Sequence, residues 1–343
     1  MRILLIGGNG FIGGFVVAAL QQQRHALAVF HRGTRVLPAG LEEIRGDRNQ
    51  LSASAQELRR FAPDVVIDFV ISSGPQAENL MNIFRGSARR VVMLSSMDVY
   101  RAVGISHGTE NGPLQEVPLT EESELRRRLH PYPAENMQHL RKIFAWVTDD
   151  YDKIPAERAV MNDQKLPGTV LRLPMVYGPG DPLRRFYPVV KRILDGRRHI
   201  IFPETLAGWR SPRGYVENVG AAIALAAADD RATRRIYNVC EEPSFSELEW
   251  ARMIAAEMQW DGDFVMLPVE RTPRHLLQPG NAAQHWTASS ARIRQELGYQ
   301  EPMPIQEAIR RTINWERDNP PAGALMAQFD YAAEDAALAA HHA

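Results

Sequence analysis

The chain has 343 residues, 45% of them apolar and 24% charged, with a formal net charge of −1. That balance gives no global field to draw in nucleic acid or an anionic membrane, and no run of about 18 apolar residues is present to span a bilayer. One cysteine, Cys240, excludes an intrachain disulfide and points to a reducing, cytoplasmic setting.

The apolar run 2–6 reads as a strand, too short for a signal-peptide core, and 11–23 has helical spacing. Strands follow at 26–30 and 41–46, then a helix over 52–62 opening on a serine cap. The near-continuous apolar runs 64–70, 90–96 and 167–178 are strands buried on both faces, as in a parallel sheet. Strand–helix alternation at this spacing predicts an α/β, Rossmann-like, doubly wound fold. Helical patterns follow at 182–196 and 214–228, then a strand at 235–240. A helix over 244–258 carries the capping-box pattern Ser244-x-x-Glu247, and two more amphipathic helices close the pattern. The tail "EDAALAAHHA" is expected to fray. The sheet domain is expected over 1–177 plus 212–240. A smaller substrate-binding region takes 178–211 plus 241–320, and 321–343 is the tail.

The loop joining the first strand to the first helix holds Gly7, Asn9, Gly10, Phe11, Ile12 and Gly13. Its spacing, Gly7-x-x-Gly10-x-x-Gly13, allows a tight turn, close backbone approach to a pyrophosphate, and helix–strand packing. A dinucleotide is the expected ligand. The second strand ends in "VFHRGTR" with no acid to take a ribose 2′-hydroxyl. His31, Arg32 and Arg35 stand there instead, and guanidinium groups suit a 2′-phosphate, so NADP is expected over NAD. Asp47, after the third strand, is placed to take the adenine amino group. No His-x-x-x-His or Cys-x-x-Cys pair suggests a metal site.

With these motifs, "LSSMDVY" (94–100), "LRLPMVYGPGD" (171–181), "RGYVENV" (213–219) and "YNVCEEPSFSELE" (237–249), the chain resembles the extended short-chain dehydrogenase/reductases, the NAD-dependent epimerase/dehydratase family. The likeness runs over roughly 1–315 and is nearest to atypical members, among them epimerase-like, isoflavone-reductase-like and RNA-binding proteins. It implies hydride transfer at a carbinol or carbonyl carbon of a sugar-like substrate, nucleotide sugars included, and a homodimer as one assembly. The alternative is a cofactor-binding sensor or RNA-associated scaffold without turnover. The resemblance gives Ser96 the role of bonding the reacting oxygen and Pro174 a place against the nicotinamide amide. It gives a tyrosine the proton and a lysine the nicotinamide ribose.

The family's Tyr-x-x-x-Lys-x-x-x-Glu is altered here. Lys153-x-x-x-Glu157 fits, but Asp149 holds the tyrosine's place and Tyr151 lies two residues before the lysine. Within one helix that pair would point about 200° apart. Pro155, tolerated only in a first turn, predicts a helix starting near Asp152, with Tyr151 on the preceding loop. A displaced Tyr151–Lys153 pair is favoured over loss of the dyad, with Tyr132 a further acid/base candidate. Met97 and Asp98 replace the acidic pair of the 4,6-dehydratases, which argues against that reaction. Asp98, Arg184 and Arg213 are candidate substrate contacts.

Overall fold

The computed structural model describes residues 1–34, 36–132, 134–144, 146–278, 280–321 and 329–342. The strands are β1 (Arg2–Ile6), β2 (Ala26–His31), β3 (Glu42–Arg45), β4 (Val65–Asp68), β5 (Arg90–Ser96), β6 (Gly168–Leu173), β7 (Met175–Tyr177), β8 (His199–Pro203), β9 (Arg213–Tyr215), β10 (Ile236–Asn238) and β11 (Asp263–Leu267). The first helices are α1 (Gly13–Gln22), α2 (Ala55–Arg60), α3 (Gly74–Phe84), α4 (Arg101–Ser106), α5 (Ala134–Ile143), α6 (Lys153–Met161) and α7 (Tyr187–Leu194). They are followed by α8 (Glu204–Ala207), α9 (Val216–Ala228), α10 (Glu247–Glu257), α11 (Ala291–Leu297), α12 (Ile305–Asp318) and α13 (Tyr331–His342).

Seven strands form one parallel sheet in the order β10-β6-β5-β4-β1-β2-β3. The period of two in a strand divides β1 between two cores: Ile3 and Leu5 face α1 and α9, while Leu4 and Ile6 face α2, α3 and α6. Burial on both faces explains the continuous apolar runs, and the parallel order is built by crossovers that are helical at every step but the loop from β2 to β3. Helix α9 lies so close to α1 that a Cβ at Gly220 would sit 2.9 Å from the Phe15 Cβ. The chain winds outward from β1 in both directions, and the switch point lies between β1 and β4, where a crevice opens at the carboxyl ends of the strands.

Two small parallel pairs, β7–β9 and β8–β11, carry the remaining helices. The C-terminal tail departs from expectation. Residues 331–342 form α13, whose Glu334 is fully buried against Arg192 and His275 and whose Leu338 packs against Ile201 and Leu267. An alanine-rich segment reads as low-complexity, and only the partner surface makes it a docked helix. The capping box also differs: Ser246 and Glu249 form it, while Glu247 pairs with Arg213. The helix expected from Ser52 begins as a 3₁₀ turn at Arg48 that leads into α2. Among the described residues no helix is long and apolar enough to cross a membrane, and no cluster of three or more His, Cys, Asp or Glu side chains could hold a metal.

Candidate active site

The glycine loop turns at Gly7, which has a φ of +81° and donates its N–H to Phe30 O at 2.9 Å. A Cβ at Gly13 would lie 2.4 Å from Gly8 O, so packing inside the chain requires that glycine. Gly10 is different. It is exposed, and the nearest atom to a Cβ there is 3.6 Å away, an ordinary contact. The chain leaves that concavity open in front of the first turn of α1; Gly14 N and Phe15 N already bond Gly10 O and Ile12 O, which leaves the N–H groups of Phe11, Ile12 and Gly13 as the donors for an anion. A pyrophosphate fits the space and the donors.

At the end of β2, His31 is buried. Its Nδ1 accepts from Asn9 Nδ2 at 2.8 Å, so Nε2–H donates to Glu43 Oε1 at 2.9 Å. Arg45 also holds Glu43, and this guanidinium, first among the causes, draws the Glu43 carboxyl below its usual range. Glu43, on β3, was not singled out by sequence; the pairing of β2 with β3 brings it beside His31. Arg32 is exposed beside it, and Arg35 lies outside the described residues. Asp47 is exposed and caps the following 3₁₀ turn through Asn49 N at 2.9 Å. Its neighbour Arg48 was not singled out by sequence; it forms a buried ion pair with Asp68 at 2.8 Å and fixes the end of β4.

Across the crevice, Ser96 ends β5 and its Oγ accepts from Asp98 N at 3.1 Å. Helix α6 starts at Lys153, and Asp152 caps it by accepting from Ile154 N at 2.9 Å. Pro155 lies in the first turn and Tyr151 on the loop before it, as its spacing predicts. The Tyr151 hydroxyl donates to Asp98 Oδ2 at 2.9 Å, and Tyr132 donates to the same oxygen at 3.0 Å. Lys153 Nζ points elsewhere, donating to Leu94 O at 3.1 Å and to Ile71 O, with the Tyr151 ring centroid 5.9 Å away. Lys153 and Tyr151 therefore share the site without touching through the hydroxyl. A recess of about 350 Å³ opens beside the two tyrosines, walled also by His130, Gln138 and Arg141.

A guanidinium from the run of three arginines at 126–128 organises this corner. Buried Arg126 donates to Asp98 O at 2.6 Å and to the Asp152 cap at 3.3 Å. Nothing in a run of three arginines marks the one that turns inward. Glu157, one turn beyond Lys153, accepts from Ser95 at 2.5 Å and from Arg172 at 2.8 Å, and it ties α6 to β5 and β6. Pro174 follows β6 at the mouth of the sheet. Arg184 and Arg213 are engaged within the fold. Arg184 pairs with Glu316 at 2.6 Å and Arg213 with Glu247 at 2.6 Å, each over a tryptophan ring. The geometry joins Ser96, Asp98 and Tyr151 by hydrogen bonds, sets Lys153 beside them, and leaves those two arginines outside that network.

A profile of the NAD dependent epimerase/dehydratase family matches residues 3–240. The chain belongs to that family. A curated relative, 2′-dehydrokanamycin reductase of Streptomyces kanamyceticus, is 31% identical over 123 residues, 35% of this chain and 32% of that protein. The match thus spans about a third of that relative's length. Two solved structures share the fold. The dTDP-glucose 4,6-dehydratase of Bacillus anthracis, in complex with NAD, superposes with a TM-score of 0.66 at 16% identity, over 93% of this chain and 97% of that one. A UDP-glucose 4-epimerase of Thermotoga maritima with UDP-glucose gives 0.65 at 17%, over 93% and 99%.

Membership of an NAD-dependent family supports a nicotinamide dinucleotide as the cofactor of this chain. The open space at Gly10 leaves room for the pyrophosphate of such a group. Burial lowers the Lys153 ammonium to about 8, within reach of proton exchange near neutrality. Burial, and then the Asp98 charge, push both the Tyr151 and Tyr132 phenols well above the ordinary range. Cys240 is buried and its thiol raised, which makes it a packing residue.

Proposed function

We propose that this epimerase/dehydratase-family chain is an oxidoreductase or epimerase acting on a hydroxyl or carbonyl carbon of a sugar-like substrate, with NADP preferred to NAD. One observation carries the reading: the hydroxyls of Ser96 and Tyr151 and the ammonium of Lys153 gather at the strand ends, across the crevice from a glycine loop open at Gly10. The bound nicotinamide supplies or accepts the hydride. Ser96 donates to the reacting oxygen, Tyr151 moves its proton at the edge of the recess, and Lys153 holds the nicotinamide ribose. Asp98 fixes the Tyr151 hydroxyl. The cleft lies between the sheet region and the smaller region of 178–211 and 241–320.

The name of the partial relative, a reductase of a 2′-dehydro aminoglycoside, supports a ketone on a sugar ring. The UDP-glucose held by the epimerase structure supports a sugar nucleotide as the broader class. Met97 has no proton to give, which argues against 4,6-dehydration. A second reading, cofactor binding without turnover, draws support from the bond of Tyr151 to Asp98 rather than to Lys153. The test is a panel of sugar nucleotides and keto-sugars with NADPH and NADH. Turnover that falls at least tenfold in Lys153→Ala supports the enzyme, and silence across the panel with tight cofactor binding supports the second reading. Tighter NADH than NADPH binding, unaffected by Arg32→Ala, would end the NADP preference.

A further inference from the structure

Two phenols, Tyr132 and Tyr151, donate to one carboxylate oxygen, Asp98 Oδ2, at 3.0 and 2.9 Å. Their rings lie 5.9 Å apart, and both line the recess. The other oxygen, Oδ1, is buried and has no hydrogen-bond partner among the described residues. An orphaned carboxylate oxygen is costly in a folded protein and calls for a role. Such an arrangement also limits what Tyr151 can do alone. A phenol that gives up its proton beside a carboxylate puts two negative charges within hydrogen-bond distance. Lys153, the group that would relieve this, donates instead to Ile71 O and Leu94 O.

We propose that Asp98 is the proton store of the site, exchanging a proton with the substrate oxygen through the Tyr151 hydroxyl, while Tyr132 holds the carboxylate in place. This rests on the oxidoreductase reading above and adds the route of its proton. In the oxidising direction the substrate O–H bond breaks and its proton forms a new O–H bond on Tyr151. The former phenolic proton passes to Asp98, so no phenolate builds up. The substrate C–H bond breaks in the same step, and its electron pair leaves as hydride to an oxidised nicotinamide. Reduction runs the route backwards: the carbonyl carbon takes the hydride, and its oxygen takes a proton from Tyr151, which is refilled from Asp98.

Charged and polar groups surround Asp98. Tyr132 and Tyr151 face Asp98 from the loops on either side of α5. Arg126 donates to the Asp98 main-chain oxygen while paired to Asp152, the cap of α6. His107, at the end of α4, lies tilted against Tyr132 at 5.8 Å between centroids, and burial lowers its imidazole. Lys153 stands behind Tyr151. Asp98 acts through Tyr151, so it is a positioning and proton-storing residue.

The experiment measures the full-length protein with the panel substrate that turns over best. Asp98→Asn, near-isosteric, is expected to lower kcat by about 10²–10⁴-fold, the ordinary weight of a placed proton-transfer group. Asp98→Glu is expected to recover to within about tenfold of the parent and to shift the pH profile of kcat. In mixtures of light and heavy water, the parent rate is expected to curve with deuterium fraction, as two protons move together, and the Asp98→Asn rate to be linear. A phenol titration by ultraviolet difference checks that the Asn variant is folded, with both tyrosines ionising at lower pH than in the parent. Parent turnover with an Asp98→Asn rate within tenfold and an unchanged pH profile overturns the relay and leaves the oxidoreductase reading standing. No turnover of any panel member by the parent removes both.

Discussion

A methyl group at residue 13 would meet the backbone of Gly8 at 2.4 Å, whereas at residue 10 it would meet nothing closer than 3.6 Å. Packing requires the first glycine and leaves the second free of any such demand. Gly13→Ala is expected to cost about 1–3 kcal/mol by forcing the loop away from α1, read as a lower urea midpoint. Gly10→Ala is expected to leave that midpoint unchanged and to weaken nicotinamide dinucleotide binding at least tenfold by calorimetry. Lys153 is the other residue whose burden is measurable. Its ammonium is buried and brought down to about 8, so below that pH the folded and unfolded chains both carry the proton and the full burial penalty stands. Each tenfold in proton affinity is about 1.4 kcal/mol, which makes the penalty roughly 3 kcal/mol. Above about pH 8 the folded chain sheds the proton while the unfolded chain keeps it, and stability rises toward the ordinary lysine range. Lys153→Met is therefore expected to be more stable than the parent near pH 7 and to lose that advantage by about pH 10, while hydride transfer is lost. At this scale the sequence was informative wherever backbone rules act locally. Pro155 set the start of α6 and so the position of Tyr151. It was silent on Arg126 and Glu43, whose roles depend on residues brought near by the sheet.

Overlapping patterns mark the limit at the level of elements. The segment "SFSELE" offers Ser244–Glu247 and Ser246–Glu249 as capping boxes with the same spacing. The fold chooses the second because Arg213, arriving on β9, takes Glu247. Ser246→Ala is expected to lower stability by about 1 kcal/mol in urea unfolding, and Ser244→Ala by less than about 0.5 kcal/mol. The inner strands of the main sheet were legible because burial on both faces leaves continuous apolar runs. The short strands β7 and β9 were legible only in part, since three residues carry too little periodicity. Helix α13 was misread as frayed for a related reason: its mean composition is featureless, and its one decisive side chain, Glu334, gains meaning from Arg192 some 142 residues away.

For the whole molecule, α13 ties the end of the described chain to α7 and the β8–β11 pair. Glu334 is fully buried, and Arg192 and His275 both donate to it. Removing one member of such a group strands the other charge in the interior. Glu334→Ala is expected to cost about 3–5 kcal/mol, seen as a lower thermal midpoint with loss of protection in α7 by hydrogen exchange.

The sheet order has one more consequence, in time rather than in space. Its permanent borders are harmless: β3 carries Glu42, Glu43 and Arg45, and β10 is three residues long. Strand β6, buried along its whole length, is covered on its outer side only when β10 arrives, after everything from Pro174 to Arg235 has been made or folded. Until then it is a bare apolar border, open to the same strand of another chain. Recovery from denaturant should therefore fall steeply with protein concentration, while the finished protein stays soluble at the same concentrations.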